Sequence, residues 1–256
     1  MTTEEDISAL MTRGFGQLEA GHCLAALETA RDLNDARHTS AYEIAAFALR
    51  GQGDLDGAIA KLEEGVASAP AVWRLWELLA HLRVESGDVD GARSAYERAE
   101  ALPEAPVASI RLHRCEAYTR ALVTAREGEG RLEPSAEEAI AAEAQQLAEE
   151  AAGRDGDVGR AMWVLRQLRD EQSPQARHYV LLVRGRWPHE VAGAKGPLGF
   201  HRSFSVVADS PEEALSFARV FEPEEVRASL TIDSIEDREA ASDLHKGVYE
   251  RHGRAF

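Results

Sequence analysis

The stretch Gly53-Asp54-Leu55-Asp56-Gly57-Ala58-Ile59 decides the fold, because it returns 34 residues later as Gly87-Asp88-Val89-Asp90-Gly91-Ala92-Arg93. A weaker copy, Gly156-Asp157-Val158-Gly159-Arg160-Ala161-Met162, follows about two periods further on. Glycine can end a helix by adopting a left-handed backbone conformation at little steric cost. The Asp that follows can then cap the free amides of the next helix. A repeat of this length with such a joint is typical of stacked helical hairpins.

The residues around the joint repeat as well. An aromatic residue stands early in the first helix of each hairpin, and small residues follow it. After the glycine, the second helix has a small, a large and another small residue at helical spacing. The matching positions are Tyr42, Ala45, Ala46, Leu49, Ala58, Leu62 and Gly65, then Trp76, Leu79, Ala80, Arg83, Ala92, Tyr96 and Ala99, with Pro70, Pro103 and Pro106 near the ends. On these residues the chain resembles the tetratricopeptide repeat (TPR) family over about residues 5–171. Arg83 departs from the family's usual aromatic residue.

The resemblance implies an α-solenoid made of successive helical hairpins. We expect a degenerate first repeat over residues 5–33, two regular repeats at 39–70 and 73–103, and a longer fourth hairpin over 107–152. A last helix, ending near residue 170, would cover the open end of the array. The fold class predicted for the whole chain is mainly α: this solenoid, followed by a small α+β domain.

In such an array the first helix of each hairpin lines a concave inner surface that binds other proteins. The resemblance places these residues on that surface: Phe15, Glu43, Phe47, Arg50, Arg74, Glu77 and His81. One TPR sub-class uses Lys, Asn and Arg at set inner positions to bind the C-terminal carboxylate of a chaperone, with Lys and Asn at two of them. Glu43 with Phe47, or Glu77 with His81, occupies those positions here, so that activity is not predicted. Some of these side chains could instead pack against a neighbouring helix.

The composition favours a soluble, acidic protein. The chain carries 29 basic and 45 acidic side chains, a formal net charge of −16, which argues against a general binder of nucleic acids or anionic membranes. No apolar run is long enough for a transmembrane helix, and the acidic N-terminus does not resemble a secretory signal. We therefore expect a cytoplasmic protein, and the Ala-rich, Arg-rich usage is compatible with a bacterial source. Cys23 and Cys115 form no disulfide or metal-binding pattern.

The periodicity changes at Ser173-Pro174-Gln175, which predicts one domain at 1–173 and a second at 177–256. After this point apolar residues alternate, as Tyr179, Leu181 and Val183 do. We expect the order β-β-α-β-α, with a long connection over 187–199, a third strand over 226–235 and a final helix capped by Asp237. This order predicts a three-stranded antiparallel sheet. Its edges could pair with a partner chain or with a second copy, giving a homodimer.

One local feature of the second domain is basic and aromatic. Its residues are Arg177, Arg184, Arg186, Lys195 and Arg202, with Trp187, Phe200 and His201 nearby. Such a surface could bind a nucleic acid or an acidic peptide. It could also dock on the chain's own acidic helices, which is the interpretation that the net charge favours.

The sequence contains no recognisable catalytic motif: no Gly-x-Ser-x-Gly, no phosphate loop and no paired-histidine zinc motif. We therefore predict a non-enzymatic module without cofactor or metal, which binds a partner protein as an adaptor, targeting factor or inhibitor through the groove, the sheet or both. The alternative is an enzyme, or a ligand- or metal-binding regulator, with a site in the 187–202 loop. Convergence of His178, His189 and His201 would support that alternative. A nucleic-acid-binding hairpin is a third hypothesis.

Overall fold

The computed structural model describes residues 3–153, 158–190 and 197–253. Within them the chain is mainly helical, and a four-stranded antiparallel sheet lies towards its C-terminal end. The chain divides into two compact units. The first unit comprises Met1–Ile110 and Thr124–Glu137, and the second comprises Arg111–Val123 and Glu138–Phe256.

Helices occupy most of the chain before the first strand. The helices are α1 (Glu4–Glu19), α2 (Cys23–Asp35), α3 (Ser40–Gly51), α4 (Leu55–Ser68), α5 (Trp73–Ser86), α6 (Val89–Glu100), α7 (Val107–Arg126), α8 (Pro134–Ala152), α9 (Val158–Arg169), α10 (Pro211–Arg219) and α11 (Glu224–Arg227). The strands are β1 (Arg177–Glu190), β2 (Pro197–Ala208), β3 (Thr231–Ala240) and β4 (Gly247–Arg251). The predicted fold class, a TPR-like α-solenoid followed by a small α+β region, is confirmed.

The repeated joint has the structure that its sequence predicts. Gly53 and Gly87 have φ angles of 83° and 88°, in the left-handed region that favours glycine. The side chain of Asp54 accepts a hydrogen bond from the amide of Gly57 at 2.9 Å, and that of Asp88 accepts one from Gly91 at 3.0 Å. Each joint therefore ends one helix and caps the next within three residues of chain.

Small residues allow the helices of the first unit to pack closely. The buried core around the first two hairpins contains Ala26, Ala30, Leu33, Ala41, Ile44, Ala45 and Ala48. Gly14 is buried against it, and a side chain there would meet Ile44 at 2.7 Å. Arg83, the departure from the TPR pattern, donates to the carbonyl of Gly91 and forms an ion pair with Glu63 at 2.7 Å. Its polar contacts thus connect α5 with both α4 and α6.

The sheet of the second unit has the strand order β3-β1-β2-β4, and every neighbouring pair is antiparallel. One face is buried. Alternate residues of β1 and β2 supply its core, together with small residues of α10: Tyr179, Leu181, Val183, Phe200, Phe204, Val206, Ala214 and Ala218. The predicted alternation of β1 is therefore confirmed.

The helix α9 belongs to the same core as the sheet. Val158, Ala161 and Met162 are buried in one cluster with Phe204 and Val248, and α9 lies against β4. The sequence predicted that this helix covers the end of the repeat array. Its apolar stripe indicates that one face is buried, but not which element packs against that face. The compact units consequently divide the chain elsewhere than at residues 173–177. That residues 1–173 and 177–256 fold separately stays a prediction.

The sheet has four strands rather than the three that were predicted. The predicted third strand over 226–235 is wrong in its first half, where the short helix α11 precedes β3. The predicted final helix after Asp237 is also wrong, because β3 continues to Ala240 and β4 follows. Pairing with β1 explains the length of β3, since Tyr179 lies opposite Asp237 and Arg177 opposite Ala240.

The predicted connection over 187–199 is shorter than expected. Both strands of the hairpin extend into it, and Arg186 lies opposite Gly199 before a register shift leads to the pair Glu190–Pro197. Residues 191–196, which include Lys195, lie outside the described part of the chain.

Candidate partner-binding surface

An open cleft of about 630 Å³ lies on the first unit, where the helices α1, α2, α3 and α5 meet. We call it the first-unit cleft. Its lining residues include Phe15, Leu18, Cys23, Phe47, Arg50 and Glu85. The first helices of three successive hairpins thus contribute to one surface, as the TPR resemblance implies.

Two aromatic side chains give the first-unit cleft its apolar surface. Phe15 lies on α1 and packs partly against the core of the first hairpins, while Phe47 lies on the next first helix, α3. Both are only partly buried. Leu18, three residues after Phe15 on the same face of α1, adds to this surface. Partly exposed aromatic side chains in a concave site are typical anchors for a binding partner.

An ion pair borders the cleft. Arg50 on α3 contacts Glu85 on α5, with 2.7 Å between the guanidinium Nε and the carboxylate Oε2. Both side chains are exposed, so the pair contributes about 0–1 kcal/mol to stability. A partner with its own charged groups can therefore replace this contact at little cost.

Glu43 and Arg74 are engaged with each other. The guanidinium of Arg74 donates from Nε to both carboxylate oxygens of Glu43, at 3.0 and 3.1 Å, and from Nη2 to one of them at 2.6 Å. The hydrogen bond with Glu43 raises the pKa of Arg74 above its usual value. Glu43 is buried while Arg74 remains largely exposed. Of the pair, only Arg74 can reach a partner readily.

A smaller recess of about 70 Å³ shares two residues with the first-unit cleft. Phe47 and Arg50 line both. The other residues of the recess are Glu43, Ala46, Leu62, Leu78, His81 and Leu82. Its volume corresponds to roughly two water molecules. Glu77 is buried near Arg74. The structure therefore brings Phe15, Phe47, Arg50 and His81 to adjoining surfaces, whereas the side chains of Glu43 and Glu77 are buried.

Leu18 and Cys23 are cleft residues that sequence reasoning missed. Leu18 could have been found from its helical spacing after Phe15. Cys23 begins α2, the second helix of its hairpin, and the TPR resemblance considered only first helices. No signal in the sequence indicated that Cys23 would join the surface.

In the second unit, Arg202 does not belong to an exposed basic surface, so that part of the prediction is wrong. Its side chain is buried and forms an ion pair with the buried Glu222, at 3.0 Å between Nε and Oε1. The alternation of β2 explains this. Arg202 lies between Phe200 and Phe204 on the core-facing side of the strand. This even spacing, which places all three residues on one face, was already visible in the sequence.

The remainder of the predicted basic surface is smaller than expected. Phe200 is buried, and Trp187 packs partly against it with 6.3 Å between the ring centroids. Arg177 forms an ion pair with Asp237 at 2.5 Å. Three predicted residues, Arg184, Arg186 and His201, border an open surface depression together with Ser229. Lys195 lies outside the described residues.

The alternative site in the 187–202 loop gains no support from the described histidines. The ring of His178 contacts the hydroxyl of Ser205 at 2.6 Å, whereas His201 lies opposite Arg184 and 3.6 Å from a carboxylate oxygen of Asp233. The two histidines thus lie far apart along the strands, and the side chain of His189 is not described. Across residues 3–153, 158–190 and 197–253, no group of three His, Cys, Asp or Glu side chains is placed to hold a metal ion.

None of the helices in the described ranges combines the length and the apolarity needed to cross a membrane.

No protein family and no curated protein matches the chain. Among solved structures, the crystal structure of PcrH in complex with the chaperone binding region of PopB is similar over 57% of this chain and 96% of that chain. The two are 20% identical, with a TM-score of 0.36. At this level the likeness carries no inference about function, and the TPR-like fold described above rests on the helical hairpins themselves.

Proposed function

We propose that the chain is a non-catalytic interaction module of the TPR type, which binds a segment of another protein in the first-unit cleft. The observation that supports this most directly is the convergence of Phe15, Phe47 and Arg50, from two different hairpins, around one open cleft. An adaptor, targeting factor or inhibitor in the cytoplasm of a bacterium would use such a surface.

The chemistry of the cleft favours a partner segment with an apolar side chain beside a charged or polar group. Phe15, Leu18 and Phe47 offer apolar contact area, and burial of such area stabilises a complex by about 25 cal/mol per Å² before the costs of association. The exposed Arg50–Glu85 pair offers one group of each charge at the border. This combination of an aromatic centre and a polar border is common in protein interfaces.

The sheet offers a second contact surface, which we regard as less suitable. β3 and β4 are the outer strands. Most side chains of β3 are exposed, and five of its residues are charged: Asp233, Glu236, Asp237, Arg238 and Glu239. Charged side chains on an outer strand oppose pairing with another strand. Pairing of two copies through β3 would have to overcome this repulsion, so we favour the first-unit cleft over a homodimer.

The proposal predicts that the double variant Phe47→Ala with His81→Ala loses the partner. Proteins captured from the lysate of the source cell by the natural chain would be compared with those captured by the variant. Leu24→Ala is the matched control, because Leu24 is a 73% exposed apolar residue on α2 that does not line the cleft. We expect a partner that is retained by the control and weakened about tenfold or more by the double variant, as for central aromatic residues in other interfaces.

Unchanged capture by a double variant with intact helical content would contradict the proposal. Capture that fails equally with Leu24→Ala would show that the contact is non-specific.

Cys23 provides an independent probe of the same surface. It is a free, partly exposed thiol in the cleft, whereas the other cysteine, Cys115, is buried and its pKa is raised by burial to about 12. Because the thiolate is the reactive form, a thiol reagent at pH 8 should label Cys23 alone in the folded chain. Bound partner should slow this labelling. Labelling at the same rate with and without bound partner would place the contact elsewhere.

A further inference from the structure

A second cleft, of about 210 Å³, lies within the second unit between α8, α9, α10 and β4. We call it the arginine cleft, because Arg166 and Arg169 of α9 line one side of it. The two residues are three positions apart, so they share a face of the helix. The apolar residues Leu165, Phe217 and Val220 line it as well.

Both arginines are held firmly in place. Arg166 donates to the carbonyl of Val248, and Arg169 donates to the carbonyl of Lys246 at 3.2 Å. The guanidinium carbon of Arg169 lies 3.8 Å from the centre of the Phe217 ring, and that of Arg166 lies 4.1 Å from the centre of the Tyr249 ring. Such stacking fixes the plane of a guanidinium and leaves its edge available for other acceptors.

A glycine allows this arrangement. Gly247 has a φ angle of 141°, and a Cβ atom there would lie 2.8 Å from Cγ of Arg166 and 3.1 Å from Nη1 of Arg169. Any larger residue would push both arginine side chains away from β4. The backbone of β4 and the two side chains are therefore fitted to each other.

The nearby carboxylates contact other side chains, and one of them, Glu149, lines the cleft itself. Glu171, Glu213 and Glu149 are near enough to favour the charged form of Arg169. However, Glu171 and Glu213 contact the ammonium group of Lys246, and Glu149 accepts a hydrogen bond from Gln145 at 3.0 Å. Among the described residues, neither Arg166 nor Arg169 has a carboxylate oxygen within the 4.0 Å of an ion pair.

Two guanidinium groups thus lie mostly buried without an anionic partner among the described residues. Burial of a charged group costs free energy, and accordingly burial lowers the pKa of both Arg166 and Arg169 from its usual value. An anion that enters the cleft would offset the cost, because charge-assisted hydrogen bonds to a guanidinium are strong at sites with little water.

We propose that the arginine cleft binds a small carboxylate carried on a short apolar group. The arginines would hold the carboxylate, and Leu165, Phe217 and Val220 would contact the apolar part. The volume corresponds to roughly seven water molecules, so the ligand is a small organic acid or the final residue of a peptide. This site is separate in the chain from the first-unit cleft, and neither proposal depends on the other.

The first test titrates the full, isotope-labelled chain with 3-methylbutanoate and follows the amide signal of Gly247 by NMR. The matched neutral probe is 3-methylbutanamide, which has the same shape without the charge. We expect saturable shifts at Gly247 with the acid and none with the amide. Equal effects of acid and amide, absence of saturable shifts, or saturable binding of inorganic phosphate in place of the acid would overturn the proposal.

Two further probes distinguish the sources of the carboxylate. An acetylated Ala-Leu dipeptide with a free C-terminus would bind more tightly than 3-methylbutanoate if a peptide end is the natural ligand, and less tightly if a free acid is. Its C-terminal amide should not bind in either case, and binding by this amide would contradict the role of the arginines.

Substitutions complete the test. Arg169→Gln should weaken binding of the acid about tenfold or more, whereas Arg160→Gln, an exposed position on the same helix, should leave it unchanged. Since Arg169→Gln also disturbs β4, a second variant avoids the strand. Glu149→Gln removes a negative charge from the cleft and keeps an acceptor for Gln145, so binding should become about threefold to tenfold tighter. Affinity that is unchanged or weaker in Glu149→Gln would overturn the proposal even if Arg169→Gln fails to fold.

Discussion

The two units of this chain are stabilised over different distances along the sequence. In the first unit, caps such as Asp54 to Gly57 join residues three apart, and each hairpin packs on the next. In the second, Arg166 reaches Val248 across 82 residues, and Arg251 reaches the carbonyl of Ala152 across 99. Local contacts leave a periodic signature in the sequence and distant contacts do not. This difference explains why one unit was predicted more accurately than the other.

The largest effect is expected from the buried ion pair of the second unit. Glu222→Ala removes a carboxylate that pairs with the buried Arg202, which should lower the free energy of unfolding by about 3–5 kcal/mol. Urea denaturation followed by circular dichroism measures the loss. Glu63→Ala, which breaks the more exposed Arg83 pair of the first unit, is the matched control and should cost less than about 1 kcal/mol. Similar losses of unfolding free energy in both variants would show that the two ion pairs do not differ in their contribution to stability.

A medium effect is expected at the glycines of α1. A Cβ atom at Gly14 would meet Ile44 at 2.7 Å, so Gly14→Ala should destabilise the chain by about 1–3 kcal/mol. Gly16 has open space around it, so Gly16→Ala should stabilise by about 0.5–1 kcal/mol through helix propensity. Thermal and urea unfolding of the two variants measures the difference. Effects of the same sign would show that α1 does not pack closely on α3.

The smallest effect is expected at the repeated joints. Asp54→Ala and Asp88→Ala each remove a helix cap and should each cost about 1 kcal/mol. Asp54→Asn keeps an acceptor oxygen and should cost almost nothing. Equal costs at the two joints, measured by urea unfolding, would support their equivalence. A cost at one joint only would mean that the repeats have diverged in structure.

The repeat region was predictable because its determinants are neighbours in sequence. The glycine and aspartate of each joint act within a few residues, and the alternation of Tyr179, Leu181 and Val183 likewise reports a strand directly. The positions of Phe15 and Phe47 on one cleft followed from the resemblance to the TPR family, since helices at equivalent places in successive hairpins lie side by side.

The errors have a common physical origin. Val226 and Leu230 are both buried, and their spacing fits a strand as well as a helical turn, so α11 was interpreted as the start of β3. The spacing of Ala241, Leu244 and Val248 fits a helix, but β4 forms because β2 provides a pairing edge. Likewise, the apolar stripe on α9 was visible in the sequence, but the sheet that it packs against was not. Contacts between distant segments decide each of these cases.

Arg202 shows a different limit. Its position between Phe200 and Phe204 already indicated the buried face of β2, yet its charge suggested the surface. Glu222, twenty residues further on, supplies a carboxylate that pairs with the buried guanidinium. A charge on an apolar strand face can therefore indicate a buried partner that is distant in sequence.

The central claim is that the repeats of the first unit depend on local contacts, whereas α9 depends on the sheet. Hydrogen exchange measured by mass spectrometry on the full chain and on a chain that ends at Ser173 tests it most directly. We predict equal protection of the amides of α3–α6 in both, and loss of protection in α9 when the sheet is removed, because Val158, Ala161 and Met162 then lose their core. Equal protection of α9 in both chains would contradict the account and would make residues 1–173 an independent helical domain.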